Sequence, residues 1–75
     1  MRRYFFHAYG PDREMPDQEG LELPNDEAAR RIALRTIRDM MGKEVRPQDW
    51  SEWRIEIVDE AERRIAIITS GDALY

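Results

Sequence analysis

Between residues 3 and 9 the apolar side chains alternate, Tyr4, Phe6 and Ala8 against Phe5, His7 and Tyr9. A period of two suits a pleated strand and not a helix. Gly10-Pro11-Asp12 is turn chemistry, and the polar stretch through Pro16 reads as the loop of a long hairpin. A second extended segment is expected over 19–23, with Leu21 and Leu23 pointing one way, Glu22 the other, and Gly20 marking a bulge or a close backbone approach. Pro24 ends the extension. From there the period changes to 3.6: apolar residues fall at Ala29, Ile32, Ala33, Ile37, Met40 and Met41, and Leu34 widens the stripe. This predicts an amphipathic helix of about 17 residues. Asn25 or Asp26 caps its start, Asp26 and Glu27 sit at its positive end, and Gly42 is a left-handed stop.

The stretch 43–51, with Pro47 and no periodicity, reads as a loop returning to the sheet, with Trp50 as a lid over one core edge. Trp53, Ile55 and Ile57 then alternate with Glu52, Arg54 and Glu56. Asp59-Glu60-Ala61-Glu62 turns the chain into Ile65, Ala66, Ile67 and Ile68. The tail from Ser70 is expected to be loose. Together these elements predict a single α+β domain over 1–75, of ββαββ order, with a four-stranded antiparallel sheet and one helix packed on one face.

One helix covers one side of such a sheet, yet the alternation puts apolar groups on both. Tyr4, Phe6, Ile55, Ile57, Ile65 and Ile67 are expected under the helix, and Phe5, Tyr9, Val58, Ala66 and Ile68 on the opposite face. Phe5, Tyr9, Val58 and Ile68 are therefore candidate partner-binding residues. A symmetric homodimer is the commonest way to cover such a face; the chain's own Trp50, first loop or tail is the other.

Composition adds limits. With 75 residues the chain is one domain with a small core, and 41% hydrophobic residues with seven aromatics are enough to fold it. No cysteine is present, so neither a disulfide nor a thiolate zinc site braces the core, and a reducing cytoplasm is the expected compartment. The longest apolar run, 65–68, is far short of the ~20 residues of a membrane span, and His7 interrupts the N-terminal apolar stretch before it resembles a signal. The net charge of −4 argues against nucleic acid as a partner, although residues 25–46 carry six basic and four acidic side chains. Within that segment Arg31, Arg35 and Arg38 share one helix face, where they form either a solvated helix back or a grip for phosphates or an acidic partner.

Catalytic chemistry is thin. His7 is the one histidine, and with Asp17 and Glu19 across the hairpin it offers a general base or a metal ligand set; the alternative is a strand histidine hydrogen-bonded to a neighbour. Ser51, Ser70, Thr36 and Thr69 lie in no activating context, and the four glycines stand too far apart to cradle phosphate, so no nucleotide cofactor is implied.

The segments Arg3-Tyr4-Phe5-Phe6-His7, Asp17-Gln18-Glu19-Gly20-Leu21-Glu22-Leu23-Pro24, Asp26-Glu27-Ala28-Ala29-Arg30, Trp53-Arg54-Ile55-Glu56-Ile57 and Asp59-Glu60-Ala61 together resemble a family of short bacterial proteins known only as a domain of unknown function. The resemblance implies a fold and carries no catalytic residues. Its members usually have Gly where this chain has Glu62, which implies a different turn type or mild strain there. The expectation for function is a non-catalytic interaction or regulatory module, not an enzyme, acting through the uncovered sheet face as a homodimer. Two alternatives stand beside it. One is an antitoxin similar to the HicB type, which blocks an RNA-cleaving toxin; that fold usually has three strands before the helix, against two counted here. The other is a small metal-dependent enzyme built on His7, Asp17 and Glu19.

Overall fold

The computed structural model describes residues 1–42 and 53–73. It is an α+β fold in the order β1 (Arg2–Tyr9), β2 (Glu14–Met15), β3 (Leu21–Leu23), α1 (Asp26–Gly42), β4 (Arg54–Asp59), β5 (Arg64–Thr69) and α2 (Ser70–Ala73). All strand pairs are antiparallel, and five strands fill four sheet positions in the order β2-β1-β4-β5. β3 lies beside β1 on the same edge as β2, because β4 occupies the other.

The first hairpin differs from the ββαββ reading. Part of the expected loop is β2, which pairs Ala8 with Met15 and Tyr9 with Glu14, while β3 pairs Arg2 with Leu23 and Tyr4 with Leu21. Residues 16–20 therefore lie opposite only residues 5–7, and one long strand is broken by a wide bulge. Pro16 has no N–H to give to the ladder there, and Gly20, with φ of 73°, takes a left-handed turn back into β3. A Cβ on Gly20 would stand 2.9 Å from the carbonyl oxygen of Tyr4 and from the side chains of Arg3 and Phe5, so the close approach read from the sequence is present.

The second hairpin turns through three residues between Asp59 and Arg63, with the Asp59 N–H donating to Arg63 O at 3.0 Å and Glu62 N–H to Asp59 O at 2.9 Å. The side chain of Asp59, only 4% exposed, organises the turn. Its Oδ1 accepts from the N–H groups of Ala61 and Arg63, each at 2.9 Å, and its Oδ2 from Arg63 Nε at 3.1 Å. These donors, the Arg63 N–H foremost, outweigh burial and hold the carboxyl below its ordinary value. Glu62 has φ of 63°, the left-handed position at which a loop of this length normally carries Gly.

One residue further on, the strand slips. Ile57 pairs with Ala66 but Val58 with Arg64, so Ile65 is an extra residue in β5. The bulge reverses the expected alternation, since one inserted residue moves every later side chain to the other face. Ala66 and Ile68 pack with the core under α1, not on the open face, and Ile67 is the one that points away, 39% exposed.

The core is Tyr4, Ala8, Ile55, Ile57 and Ile68 from the sheet against Ala29, Ala33 and Ile37 of α1. Two fully buried alanines on the inner face let the helix lie close to the strands. Ile32 is only half-buried and outside this cluster, on the outer side of the helix with the arginines. Asn25 is the N-cap: its Oδ1 accepts from Ala28 N–H at 2.8 Å. Asp26 instead accepts the buried Tyr4 hydroxyl at 2.7 Å, and that bond, with burial, raises the phenol above its usual value. α1 ends on Gly42 in helical conformation, without the expected left-handed stop.

Where a loose tail was expected, residues Ser70–Ala73 form α2. Thr69 and Asp72 form a reciprocal cap on α2: Thr69 N–H donates to Asp72 Oδ2 at 2.8 Å, and Asp72 N–H to Thr69 Oγ1 at 3.3 Å. α2 packs against α1 and β5. The expected lid Trp50 lies outside the described residues, as do Leu74 and Tyr75. No helix among the described residues is long and apolar enough to cross a membrane.

Candidate functional site

Strand register fixes what the face opposite α1 carries. Arg3, Phe5, His7 and Tyr9 alternate outward along β1, and their partners on that face are Glu22 on β3, Glu14 on β2, and Val58, Glu56 and Arg54 on β4. β5 adds Arg64, Ile67 and Thr69. The rings of Phe5 and His7 stack with centroids 6.5 Å apart and planes 9° from parallel. The Arg54 guanidinium lies 4.8 Å from the centre of the Tyr9 ring, within cation–π range. Arg3 pairs with Glu22 at 3.3 Å and Arg64 with Glu56 at 3.0 Å. The face is thus an aromatic strip framed by cross-strand charge pairs. Val58 is already buried there, at 9% exposure, while Phe5 and Tyr9 are half-buried.

Of the residues expected to bind a partner through this face, Phe5, Tyr9 and Val58 are on it and Ile68 is not. Ile68 is 7% exposed beneath α1, moved there by the β5 bulge. Ile67 takes its place, and the four consecutive apolar residues of β5 gave no alternation from which to see this. The first loop borders and partly covers the face, as Asp17 N–H bonds His7 Nδ1, Glu19 O accepts from Arg3, and a Cβ on Gly20 would stand 2.9 Å from the Phe5 ring, whereas α2 packs against α1 and β5.

His7 and Asp17 do meet. Asp17 N–H donates to His7 Nδ1 at 3.0 Å, so the neutral ring carries its proton on Nε2. The Asp17 carboxylate closes the bulge: Oδ2 accepts from Phe6 N–H at 3.1 Å, and Oδ1 from Glu19 and Gly20 N–H at 3.2 and 3.1 Å. Burial alone would raise this carboxyl, but the three N–H groups prevail and hold it below the usual carboxylate value. Glu19 contributes through its backbone, its carbonyl accepting from Arg3 Nη1 at 2.7 Å. The trio is therefore a backbone-bracing network in which Nδ1 and both carboxylate oxygens are committed. Among the described residues no three His, Asp or Glu side chains are disposed to hold a metal ion.

On the other layer, Arg31, Arg35 and Arg38 share the outer side of α1 with Ile32, where they border a shallow hollow. Arg31 is loosely tied to Glu27, 3.9 Å away and one turn earlier.

No curated protein and no solved structure matches the chain. A family model described as a domain of unknown function, DUF6894, matches residues 3–71, which include the aromatic strip, the Asp17 bulge, α1 and the second hairpin, and the chain belongs to that family.

Proposed function

We propose that this chain is a non-catalytic interaction module that pairs with a second copy of itself through the open sheet face. The observation that carries the reading is the charge balance of that face: Arg3, Arg54 and Arg64 stand among Glu14, Glu22 and Glu56 around Phe5, Tyr9 and Ile67. A two-fold interface brings one patch against itself, so it needs both signs of charge in one patch and apolar surface at the centre. A face of uniform sign would repel its copy; this one, with Arg3 paired to Glu22 and Arg64 to Glu56 within the chain, would not. The same balance gives no attraction for a phosphate backbone.

The test is the mass in solution. Sedimentation or light scattering should give two chains at ~100 µM, weaker than a dedicated interface normally binds. Ile67→Glu should reduce the mass to one chain while leaving the circular dichroism unchanged, since Ile67 is outside the core cluster. A single-chain mass for the wild type at that concentration would sink the reading.

One observation favours a second reading, the antitoxin of HicB type: three strands precede α1, the count usual in that fold. β2 and β3 share one sheet position, however, which weakens the correspondence. Co-expression with a small basic protein encoded beside this chain should yield a complex without ribonuclease activity, and the lack of any such neighbouring gene would remove this reading.

A further inference from the structure

The loop 16–20, between β2 and β3, borders the open face and is tied to β1 by hydrogen bonds. Phe6 N–H donates to Asp17 Oδ2 at 3.1 Å, Arg3 Nη1 to Glu19 O at 2.7 Å, and Asp17 N–H to His7 Nδ1 at 3.0 Å. The last bond differs in kind. A carbonyl or carboxylate oxygen accepts throughout the neutral range, whereas Nδ1 accepts only while it keeps its lone pair. Imidazole is the side chain that ordinarily gains its charge between about pH 8 and pH 5, and a charged ring has a donor at both nitrogens, so turning it over brings Asp17 no acceptor. We propose that His7 is a pH-operated latch: neutral, it pins the loop beside the open sheet face; charged, it releases the Asp17 N–H and loosens the loop.

The groups around the ring let the exchange occur. On β1 the ring has Phe5, stacked on it, and Tyr9, whose own ring faces Arg54 of β4. The loop brings the Asp17 carboxylate, which is held below its ordinary 3.8 and stays ionised across the interval. Directly opposite on β4 is Glu56, engaged by Arg64 of β5 at 3.0 Å. Further along the face, Glu14 of β2 stands opposite Tyr9, and Glu22 of β3 pairs with Arg3. The carboxylates of Asp17 and Glu56 attract a charged ring while the Asp17 N–H opposes it, so the attraction offsets the lost bond and the loop, not the fold, gives way. Pro16 has no N–H to take over. Between the Ala8–Met15 and Tyr4–Leu21 pairs the released loop is then held to β1 through the side chains of Asp17 and Arg3. The latch works within one chain and does not depend on the proposed dimer.

NMR of the nitrogen-labelled chain tests this, on wild type and on Ile67→Glu so that self-association does not enter. At pH 8 the ring should carry its proton on Nε2 and show coupling across the hydrogen bond between Nδ1 and the Asp17 amide nitrogen. As the ring titrates toward pH 5 that coupling should vanish, and the protection factor of the Asp17 amide should drop about tenfold, while that of Ile57 in the core holds. His7→Asn, which keeps an acceptor oxygen near the place of Nδ1 and does not titrate, should retain the protection at both pH values; His7→Phe should lack it at both, with circular dichroism showing each variant folded. A proton on Nδ1 at pH 8, equal Asp17 protection on both sides of the ring titration, or a ring still neutral at pH 5 would overturn the proposal. The same loss of protection in His7→Asn would overturn it too, by assigning the change to another titrating group.

Discussion

Glu62 holds a backbone conformation that its side chain disfavours, with φ of 63° at the third position of a three-residue loop. A left-handed L-residue costs roughly 1–2 kcal/mol, whereas Gly there loses about 0.4–1 kcal/mol through its freer unfolded chain. Glu62→Gly should therefore stabilise the protein by about 0.5 kcal/mol, read as a higher urea midpoint at unchanged slope. A lower midpoint would mean that Glu62 makes compensating interactions. Asp17 is the opposite case, a residue whose conformation and chemistry agree. Its carboxylate accepts three N–H groups through two oxygens, and an amide has one acceptor oxygen, so Asp17→Asn would face a donor with a donor. Asp17→Asn should cost about 2 kcal/mol, nearly as much as Asp17→Ala, and should speed amide exchange at Phe6 and Gly20. If Asn were tolerated at no cost, the carboxylate would not be what holds the bulge.

At the scale of elements, local capping makes a four-residue helix possible. Isolated helices this short do not form in water, and α2 persists because Thr69 and Asp72 satisfy each other's backbone donors while the helix rests on α1 and β5. Asp72→Ala should cost about 1 kcal/mol in urea unfolding and selectively raise amide exchange over 69–72; unchanged exchange there would show that packing alone orders it. The Thr-Ser-Gly-Asp spacing of this cap was present in the sequence, but read as a tail it passed unnoticed. α1 was legible because 17 residues repeat one period, and β1 and β4 because aromatic and aliphatic residues alternate without interruption. The break between β2 and β3 was hidden because it depends on a side chain, Asp17, bonding to the backbone of a distant strand. The β5 bulge was hidden for a different reason: Ile65, Ala66, Ile67 and Ile68 satisfy either face, and only pairing with β4 decides between them. That one slip exchanged Ile68 for Ile67 in the candidate interface, whereas the His7–Asp17 contact and the arginine row followed directly from strand neighbourhood and helical spacing.

For the molecule as a whole, a 75-residue chain has a total stability on the order of 4–11 kcal/mol, so a few carboxyl groups can govern its pH range. Asp17 and Asp59 are both held below the ordinary value of 3.8 by backbone donors. Between 3.8 and the folded-state values the unfolded chain binds more protons than the native one, so stability rises with pH across that interval. Their contribution is complete above 3.8 and is lost as pH falls through the lowered values. Tyr4 acts at the other end: its phenol is raised above 10.0, so its contribution is complete below that value and is lost as pH climbs through the folded-state one. Urea midpoints measured from pH 7 to pH 2 should begin to fall near pH 4 in the wild type and fall by less in Asp17→Asn and in Asp59→Asn. General charge repulsion at low pH is common to all three proteins and cancels in the comparison. If both variants keep the full wild-type acid slope, the two carboxylates are not what the fold depends on. Tyr4→Phe should in turn flatten the alkaline limb above pH 10 and leave the acid limb as it is.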